Sequence, residues 1–216
     1  MENLNKYIEH TLLAQNAKKD EIIKLCNEAK EHNFRGVCVN PCNVELAHSI
    51  LNDTDVKIVT VIGFPLGANC SQVKVFETTQ ALLNGADEID MVLNVGRLKD
   101  QDYEFVKKDI EMVRSACPKN ILKVILETDL LTPEEIKKAC ELCIEAKADF
   151  VKTSTGFVKN GVGAKVEDVK LMYNTVHAQG LRVKASGGVR TKEAAIQMVE
   201  AGASSIGTSS GLKICE

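Results

Sequence analysis

A short run of apolar and β-branched residues, of the kind that forms a β-strand, recurs eight times along this chain of 216 residues. Helix-period segments lie between most of the runs, which are about 28 residues apart, the size of one strand with its crossover helix. The eight runs cover residues 7–13, 36–40, 56–63, 88–95, 122–128, 149–154, 181–187 and 204–209. Strands separated by crossover helices pair in parallel, so the alternation predicts an eight-stranded parallel sheet.

The segments between the runs carry helical periodicity and the signals of helix ends. The clearest of them cover residues 18–33, 71–86, 103–117, 132–147 and 191–203. Thr132, Pro133 and Glu135 form the pattern of an N-cap, a first-turn proline and a capping-box glutamate. Glycine stands where helix C-caps are expected, at positions 85, 180 and 202. The predicted helices therefore begin and end between the predicted strands.

Two α/β architectures share this alternation, an open doubly wound sheet and a closed barrel. A dinucleotide-binding open sheet has a GxGxxG motif after its first strand, which is absent here, and the glycines of NGVGAKVED have the wrong spacing. No P-loop signature is present either. We therefore predict an α/β fold, a single (β/α)8 TIM barrel with a parallel eight-stranded core, as one domain over residues 1–216. The chemistry of such a barrel lies at the C-terminal ends of its strands.

Composition argues against several classes of partner. There are 27 basic and 30 acidic residues, with a formal net charge of -3, so neither nucleic acid nor a membrane surface is an expected partner. No apolar run approaches the roughly 20 residues needed to cross a bilayer. The chain begins MENLNKYIEH, without an apolar signal segment, and is too large to need disulfides. We therefore predict a cytoplasmic protein with eight reduced cysteines.

Two pairs of cysteines resemble reactive or metal-binding motifs. Cys140 and Cys143 have CxxC spacing, but they lie in a helical pattern, and no second pair has zinc-ligand spacing. We interpret them as helix residues and predict no metal site. Cys38 and Cys42 lack a partner histidine nearby in the sequence, and we interpret them as buried structural thiols.

Three ionisable residues interrupt otherwise apolar strands: Asp90 in EIDMVL, Lys152 in DFVKTSTG and Lys184 in RVKASGG. Strand side chains alternate in direction, so each must point into the barrel or toward the helices, and both places are unfavourable for an unpaired charge. Taken singly, each could reach solvent at a strand end or form a buried ion pair. Together they indicate an active site.

Lys152 and Lys184 occupy matching positions on strands expected to lie about 4.8 Å apart. Repulsion and burial are then expected to lower the pKa of the more buried lysine, and a decrease from about 10.4 toward 7.5 requires about 4 kcal/mol. A neutral amine forms an imine with a carbonyl compound, and the protonated imine promotes cleavage of a carbon–carbon bond without a metal. Asp90 could transfer protons, directly or through water. No cofactor is expected.

A phosphate site is predicted where strands 7 and 8 end. The segment ASGGVR places Gly187 and Gly188 before a helix N-terminus, and IGTSSG contributes Ser209 and Ser210. Loops after these strands are the usual phosphate site of a barrel, and TSTG at residues 153–156 lies beside them. The alternative is that these residues only form tight turns. Three such loops together favour a phosphorylated carbonyl compound as the substrate.

Six blocks of the sequence are distinctive in combination. They are VCVNP (37–41), TVIGFPLGAN (60–69), GADEIDMVLNVG (85–96), LKVILET (122–128), DFVKTSTGF (149–157) and VKASGGVRT (183–191). These blocks resemble the deoxyribose-phosphate aldolase family, and the similarity runs from IEHTLL to GTSSG. The resemblance implies that Lys152 forms a Schiff base, that Lys184 perturbs it and that Asp90 belongs to the proton relay. It places the phosphate site at Gly156, Gly187, Gly188, Ser209 and Ser210.

The resemblance implies a class I aldolase that reversibly cleaves 2-deoxy-D-ribose 5-phosphate to D-glyceraldehyde 3-phosphate and acetaldehyde, in deoxynucleoside catabolism. The implied partners are these small molecules, and a homodimer is compatible with the family. Two alternatives stay open. One is a Schiff-base aldolase or transaldolase for another sugar phosphate, and the other is a non-catalytic barrel that binds a sugar phosphate.

The sequence departs from the family at three places. Ser205 stands where many relatives carry an arginine, so an ion pair there is expected to be absent or replaced. The sequence ends KICE, without the longer tyrosine-ended tail of some relatives, and we include no tyrosine in the predicted site. Residues 158–165, VKNGVGAK, follow strand 6 and form either a mobile lid or an ordinary turn.

Overall fold

The computed structural model describes residues 3–216, and its eight strands form a closed barrel in which every pairing is parallel. The strands are β1 (Ile8–Leu12), β2 (Gly36–Val39), β3 (Lys57–Ile62), β4 (Glu88–Val92), β5 (Ile121–Ile125), β6 (Phe150–Lys152), β7 (Arg182–Ser186) and β8 (Ala203–Thr208). Each strand pairs with the next in sequence, and β8 pairs with β1. The prediction of an α/β fold with a parallel (β/α)8 barrel is confirmed.

Helices connect successive strands and surround the barrel. They are α1 (Lys19–Glu31), α2 (Val44–Leu51), α3 (Ser71–Leu83), α4 (Val95–Lys99), α5 (Tyr103–Ala116), α6 (Pro133–Glu145), α7 (Val166–Val176), α8 (Lys192–Glu200) and α9 (Gly211–Cys215). The five segments named from the sequence correspond to α1, α3, α5, α6 and α8. Between residues 3 and 216, no helix combines the length and apolar character that a membrane crossing requires.

The predicted helix-end signals are present in the structure. At the start of α6, the Thr132 hydroxyl accepts the Glu135 N–H at 3.3 Å, and the Glu135 carboxylate accepts the Thr132 N–H at 2.8 Å. Gly85 follows α3 with φ 101°, and Gly202 follows α8 with φ 111°. Both values lie in the left-handed region that a glycine adopts without strain, so these residues end their helices as expected.

The strands carry two different layers of side chains, because alternate residues point to opposite faces. On β4, Ile89 and Met91 belong to the apolar core shared with the surrounding helices. The intervening Glu88 and Asp90 instead make ion pairs with Lys123 of β5 inside the barrel. The barrel interior is therefore charged at β4 and β5, whereas Cys38, Val59 and Val61 form a small apolar cluster of their own on β2 and β3.

Candidate active site

A cavity of about 630 Å³ opens where β1, β6, β7 and β8 end. Its lining includes Lys152 at the end of β6 and Gly156 in the turn that follows. Gly187 and Gly188 after β7 and Ser209 after β8 also line it. All these residues lie at the C-terminal ends of strands, which is where barrel enzymes carry out their chemistry.

The three ionisable residues predicted from the sequence meet at one oxygen atom. Lys152 and Lys184 lie opposite each other on neighbouring strands. The Nζ atoms of Lys152 and Lys184 donate to the same Asp90 Oδ2, at 2.8 and 2.7 Å. Asp90 and Lys184 are fully buried, whereas Lys152 lines the cavity. The arrangement therefore exposes one of the two amines to a bound molecule and keeps the other behind it.

Most of the predicted phosphate residues line the same cavity as Lys152. Gly156, Gly187 and Gly188 have φ values of 81°, 82° and 75°, so each is in the left-handed region. Ser209 lines the cavity beside them. Ser210 is not among the lining residues, and its N–H donates to the Thr208 hydroxyl at 3.0 Å. The structure thus brings four of the five residues to the cavity wall.

Comparison with known protein families gives a match over nearly the whole chain. Residues 4–216 match the family described as DeoC/LacD family aldolase. The chain belongs to this family. It is therefore an aldolase, a lyase that acts on carbon–carbon bonds.

Individual relatives of this aldolase cover both proteins almost completely. A deoxyribose-phosphate aldolase from Thermoanaerobacter sp. (strain X514) is 59% identical over 99% of this chain and 96% of its own length. One from Finegoldia magna is 54% identical over 99% of each chain. The solved structure of a tetrameric deoxyribose phosphate aldolase from Aeropyrum pernix matches with a TM-score of 0.90 and 33% identity, covering 98% of this chain and 88% of that one.

The aldolase carries more charge inside its barrel than the sequence analysis proposed. Lys123 Nζ contacts Glu88 Oε2 at 2.6 Å and Asp90 Oδ1 at 2.9 Å. Arg35 contacts Glu9 at 2.5 Å and Glu88 at 2.7 Å. Glu9, Glu88 and Lys123 also interrupt apolar strands, so the signal that identified Asp90 could have identified them. Arg35 precedes β2, and its sequence neighbourhood contains no comparable signal.

The predicted effect of one lysine on the other is wrong for Lys184, the more buried of the two. Burial by itself lowers the pKa of Lys184 because an ammonium group loses its hydration. The carboxylates of Asp90 and Glu9 raise it by more, and the pKa of Lys184 lies above its ordinary value. The expected repulsion between the two amines is outweighed because two carboxylates contact Lys184. Lys184 therefore remains a fixed positive charge.

The buried carboxylates are held in their ionised form. Burial would raise the pKa of Asp90, but Lys123, Lys152 and Lys184 hold it well below its ordinary value. Burial likewise acts to raise the pKa of Glu9, and nearby cations outweigh it and lower the pKa to about 2. Both groups therefore accept hydrogen bonds as carboxylates at neutral pH.

Ser205, the position that departs from the family, joins this charged interior. Its hydroxyl donates to Glu9 Oε1 at 2.9 Å. Ser205 lies opposite Lys184 in the pairing of β7 with β8, and Lys184 also bonds to Glu9. A hydrogen bond therefore stands at the position where an ion pair was expected to be absent or replaced.

The cysteines are unpaired in the structure, and not all of them have the predicted burial. All eight are free thiols. Cys140 and Cys143 are buried on α6, in agreement with their interpretation as helix residues. Cys38 is buried, but Cys42 is exposed, so its interpretation as a buried thiol is wrong. Cys42 lies on the short 3-10 helix Pro41–Asn43, beyond the buried part of β2, where side chains face solvent.

Residues 158–165 pack against one of the predicted phosphate turns. The Gly163 N–H donates to Asp129 Oδ2 at 2.7 Å, and the Ala164 N–H donates to the Gly187 carbonyl oxygen at 3.0 Å. A Cβ atom on Gly163 would lie 2.5 Å from the Gly187 backbone, so a larger residue does not fit. This segment therefore supports the Gly187 turn from its outer side.

Proposed function

We propose that this aldolase reversibly cleaves 2-deoxy-D-ribose 5-phosphate to D-glyceraldehyde 3-phosphate and acetaldehyde, with Lys152 as the Schiff-base nucleophile. The observation that carries the proposal is the convergence of Lys152 and Lys184 on Asp90 Oδ2, at a cavity that glycine and serine turns also line. Relatives that are 54% and 59% identical are deoxyribose-phosphate aldolases, which supports this substrate.

The position of Lys152 in the ion-pair network supports it as the nucleophile. The network inside the barrel has three carboxylates, those of Glu9, Glu88 and Asp90, and four basic side chains, those of Arg35, Lys123, Lys152 and Lys184. Burial would lower the pKa values of Lys123 and Lys184, but the carboxylates outweigh it and raise both above their ordinary values. Of the four basic side chains, Lys152 alone lines the cavity, and it is therefore the amine that a sugar can reach.

The reaction follows from an amine in this position. Lys152 Nζ attacks C1 of the open-chain sugar, and loss of water gives a protonated imine. Removal of the C3 hydroxyl proton breaks the C2–C3 bond, since the products contain two and three carbons. D-glyceraldehyde 3-phosphate leaves, and the electron pair remains in an enamine. Protonation at C2 and addition of water release acetaldehyde and restore the amine. Asp90, 2.8 Å from Lys152 Nζ, transfers protons directly or through water.

The phosphate group is assigned to the glycine and serine turns that line the cavity. Gly156, Gly187, Gly188 and Ser209 would offer backbone N–H groups at turns that a ligand can approach closely. Ser210, which does not line the cavity, offers no backbone N–H, because that group already donates to the Thr208 hydroxyl. Arg190, which the sequence analysis did not include, lines the same cavity and would balance the phosphate charge.

Trapping with borohydride tests the mechanism. The protein is incubated with 2-deoxyribose 5-phosphate and borohydride, and the adduct is located by intact mass and peptide mapping. We expect a reduced adduct on Lys152. A folded protein that binds the sugar phosphate without forming an adduct would support the non-catalytic barrel. Product analysis with other sugar phosphates separates this aldolase from one that prefers a different substrate.

We also propose that the aldolase forms a homodimer. Several large apolar side chains on or before α3 are exposed, which is unfavourable for a monomer in water. They are Leu66, Val73, Phe76 and Leu83. Sedimentation of the wild type and of Phe76→Ser tests this surface, and a monomeric wild type would contradict the proposal.

Two further expectations remain proposals. A single domain over residues 1–216 is supported by strands that close one barrel between residues 8 and 208, and one cooperative unfolding transition would agree with it. A cytoplasmic location is supported by the eight free thiols, because reducing compartments preserve such groups. Fractionation of cells that produce the protein tests the location.

A further inference from the structure

Glu127 lies just beyond β5 in a backbone conformation that most residues avoid. Its φ and ψ are 63° and 60°, in the left-handed region. A side chain with a Cβ atom is disfavoured there, and such residues persist where surrounding contacts hold them. Glu127 is also only 4% exposed. An acidic side chain that is both buried and in this conformation requires specific partners.

The partner of Glu127 is Thr155, two residues before the exposed Phe157. Glu127 Oε1 accepts the Thr155 backbone N–H at 3.1 Å, and Oε2 accepts the Thr155 hydroxyl. The Thr155 hydroxyl oxygen in turn accepts the Phe157 N–H at 3.1 Å. One carboxylate therefore holds the turn at residues 155–157 against the end of β5.

The Glu127 side chain accepts a hydrogen bond at the point where backbone hydrogen bonding between the ends of β5 and β6 stops. The Leu126 N–H donates to the Lys152 carbonyl oxygen, and the Thr128 N–H donates to that of Thr153, each at 2.9 Å. Beyond Thr153 the chain turns away, and the buried Thr155 N–H takes its acceptor from the Glu127 side chain. A buried N–H without an acceptor is destabilising, so the carboxylate replaces the missing backbone partner.

The turn that Glu127 holds forms part of the active-site wall. Thr155, Gly156 and Phe157 line the active-site cavity together with Lys152. Glu127 does not line that cavity and lies instead beside two smaller cavities behind the turn. Its influence on a bound molecule therefore passes through Thr155.

We propose that Glu127 is a positioning residue that fixes Gly156, at the phosphate end, relative to Lys152 Nζ, at the reacting end. A correct separation lets the bound phosphate place C1 of the sugar against the amine. This inference rests on the proposed function and adds a residue to it. Loss of the carboxylate should impair substrates that bind through their phosphate, while leaving the reactivity of the Lys152 amine intact.

Glu127→Gly is the most informative variant, because it removes the carboxylate while glycine retains the left-handed backbone. We expect kcat/KM for 2-deoxyribose 5-phosphate to fall about 10- to 100-fold, mainly through a higher KM, as displacement of a binding group can do. Acetaldehyde has no phosphate, so the rate at which it forms an imine with Lys152, measured by borohydride trapping, should be unchanged. Lys147→Gly is the matched control, since Lys147 also has a left-handed φ, 59°, but is exposed beyond α6.

Substitutions of Thr155 test the same contact from the other side. Thr155→Ser keeps the hydroxyl group and should retain near-normal KM, whereas Thr155→Val keeps only the backbone bond and should show part of the Glu127→Gly effect. Circular dichroism confirms that each variant is folded. Equal losses with acetaldehyde and the phosphorylated sugar, or no loss in Glu127→Gly, would overturn the positioning role. Absence of an acetaldehyde imine in the wild type would instead overturn the proposed function.

Discussion

The two faces of strand β4 are equally closed to solvent but differ in chemistry. On the outer face of β4, Ile89 and Met91 pack against helices, and on its inner face Glu88 and Asp90 form ion pairs. The outer layer stabilises the fold through removal of apolar area from water. The inner layer gains little from burial, because the desolvation of charges offsets most of their attraction. The comparison shows that burial alone does not distinguish a structural residue from a functional one.

Mutual pairing explains how the interior tolerates so many charges. Asp90 is contacted by three lysines, and Glu9 is contacted by Arg35 and Lys184 and accepts the Ser205 hydroxyl. Removal of one member therefore leaves its neighbours with fewer partners, which is more costly than the presence of the whole set. Substitutions at adjacent positions on one strand can separate the two layers, since neighbouring residues face opposite sides.

Lys152→Leu should produce the largest effect, and it tests whether the inner face of β6 carries the chemistry. Without its nucleophile, the aldolase should lose about 10⁴-fold or more in turnover of 2-deoxyribose 5-phosphate. The fold should persist because Lys123 and Lys184 still contact Asp90. Val151→Ala, on the outer face of the same strand, is the control and should keep its turnover number. Substantial activity in Lys152→Leu would remove this residue from the central role.

Lys123→Met should destabilise the protein by removing a buried charge, while most of the side-chain volume is kept. It withdraws the cation that contacts both Glu88 and Asp90, so we expect the free energy of unfolding to fall by about 3 to 5 kcal/mol. Val124→Ala, the next residue and part of the apolar core, should cost only about 2 kcal/mol. Urea denaturation measures both. A smaller effect for Lys123→Met than for Val124→Ala would show that the interior charges are not mutually dependent.

Acidification should reduce the stability that the charged inner layer contributes before it affects the contribution of the apolar outer layer. The pKa of Glu9 falls from an ordinary 4.5 to about 2 in the folded protein, despite burial, because nearby cations favour its carboxylate. A lowered folded pKa gives stability that is complete above pH 4.5 and is lost as the pH falls toward 2, by about 1 to 3 kcal/mol for this group.

Unfolding by urea at several pH values checks this slope. Glu9→Gln cannot titrate and should show a shallower decrease in stability between pH 4.5 and 2, whatever its stability at neutral pH. Glu28→Gln, at a half-buried position outside the barrel, serves as the control for removal of one glutamate. Identical slopes in the wild type and Glu9→Gln would exclude Glu9 as a source of the acid sensitivity.

Ser205→Ala should produce the smallest effect in the interior. Glu9 would lose one neutral hydrogen bond but keep its contacts with Arg35 and Lys184, so the free energy of unfolding should fall by about 0.5 to 1.5 kcal/mol. Turnover should remain near that of the wild type. A loss of unfolding free energy as large as that of Lys123→Met would mean that the other contacts of Glu9 depend on the Ser205 hydroxyl.

Much of the fold could be predicted because its signals are local. All eight strands overlap the apolar runs in the sequence, and the capping pattern at Thr132 is visible in four consecutive residues. The predicted helical segments do not include α2 and α7, and α4 and α9 span only five residues each, too short for a helical period to be evident. The identity of Lys152, Lys184 and Asp90 as a group was also predictable, since charges stand out within apolar strands.

The sequence by itself determined the order of strands and helices, the alternation that sends charges to one strand face, and membership of an aldolase family. Only the tertiary structure decided which charges meet. Glu9 and Lys184 are 175 positions apart in sequence, and they contact each other because β8 closes the barrel against β1. Burial would lower the pKa of Lys184, but Asp90 and, to a smaller extent, Glu9 raise it above its ordinary value, against the expected direction. A pKa depends on the summed field of neighbours in space, which no local pattern of residues contains.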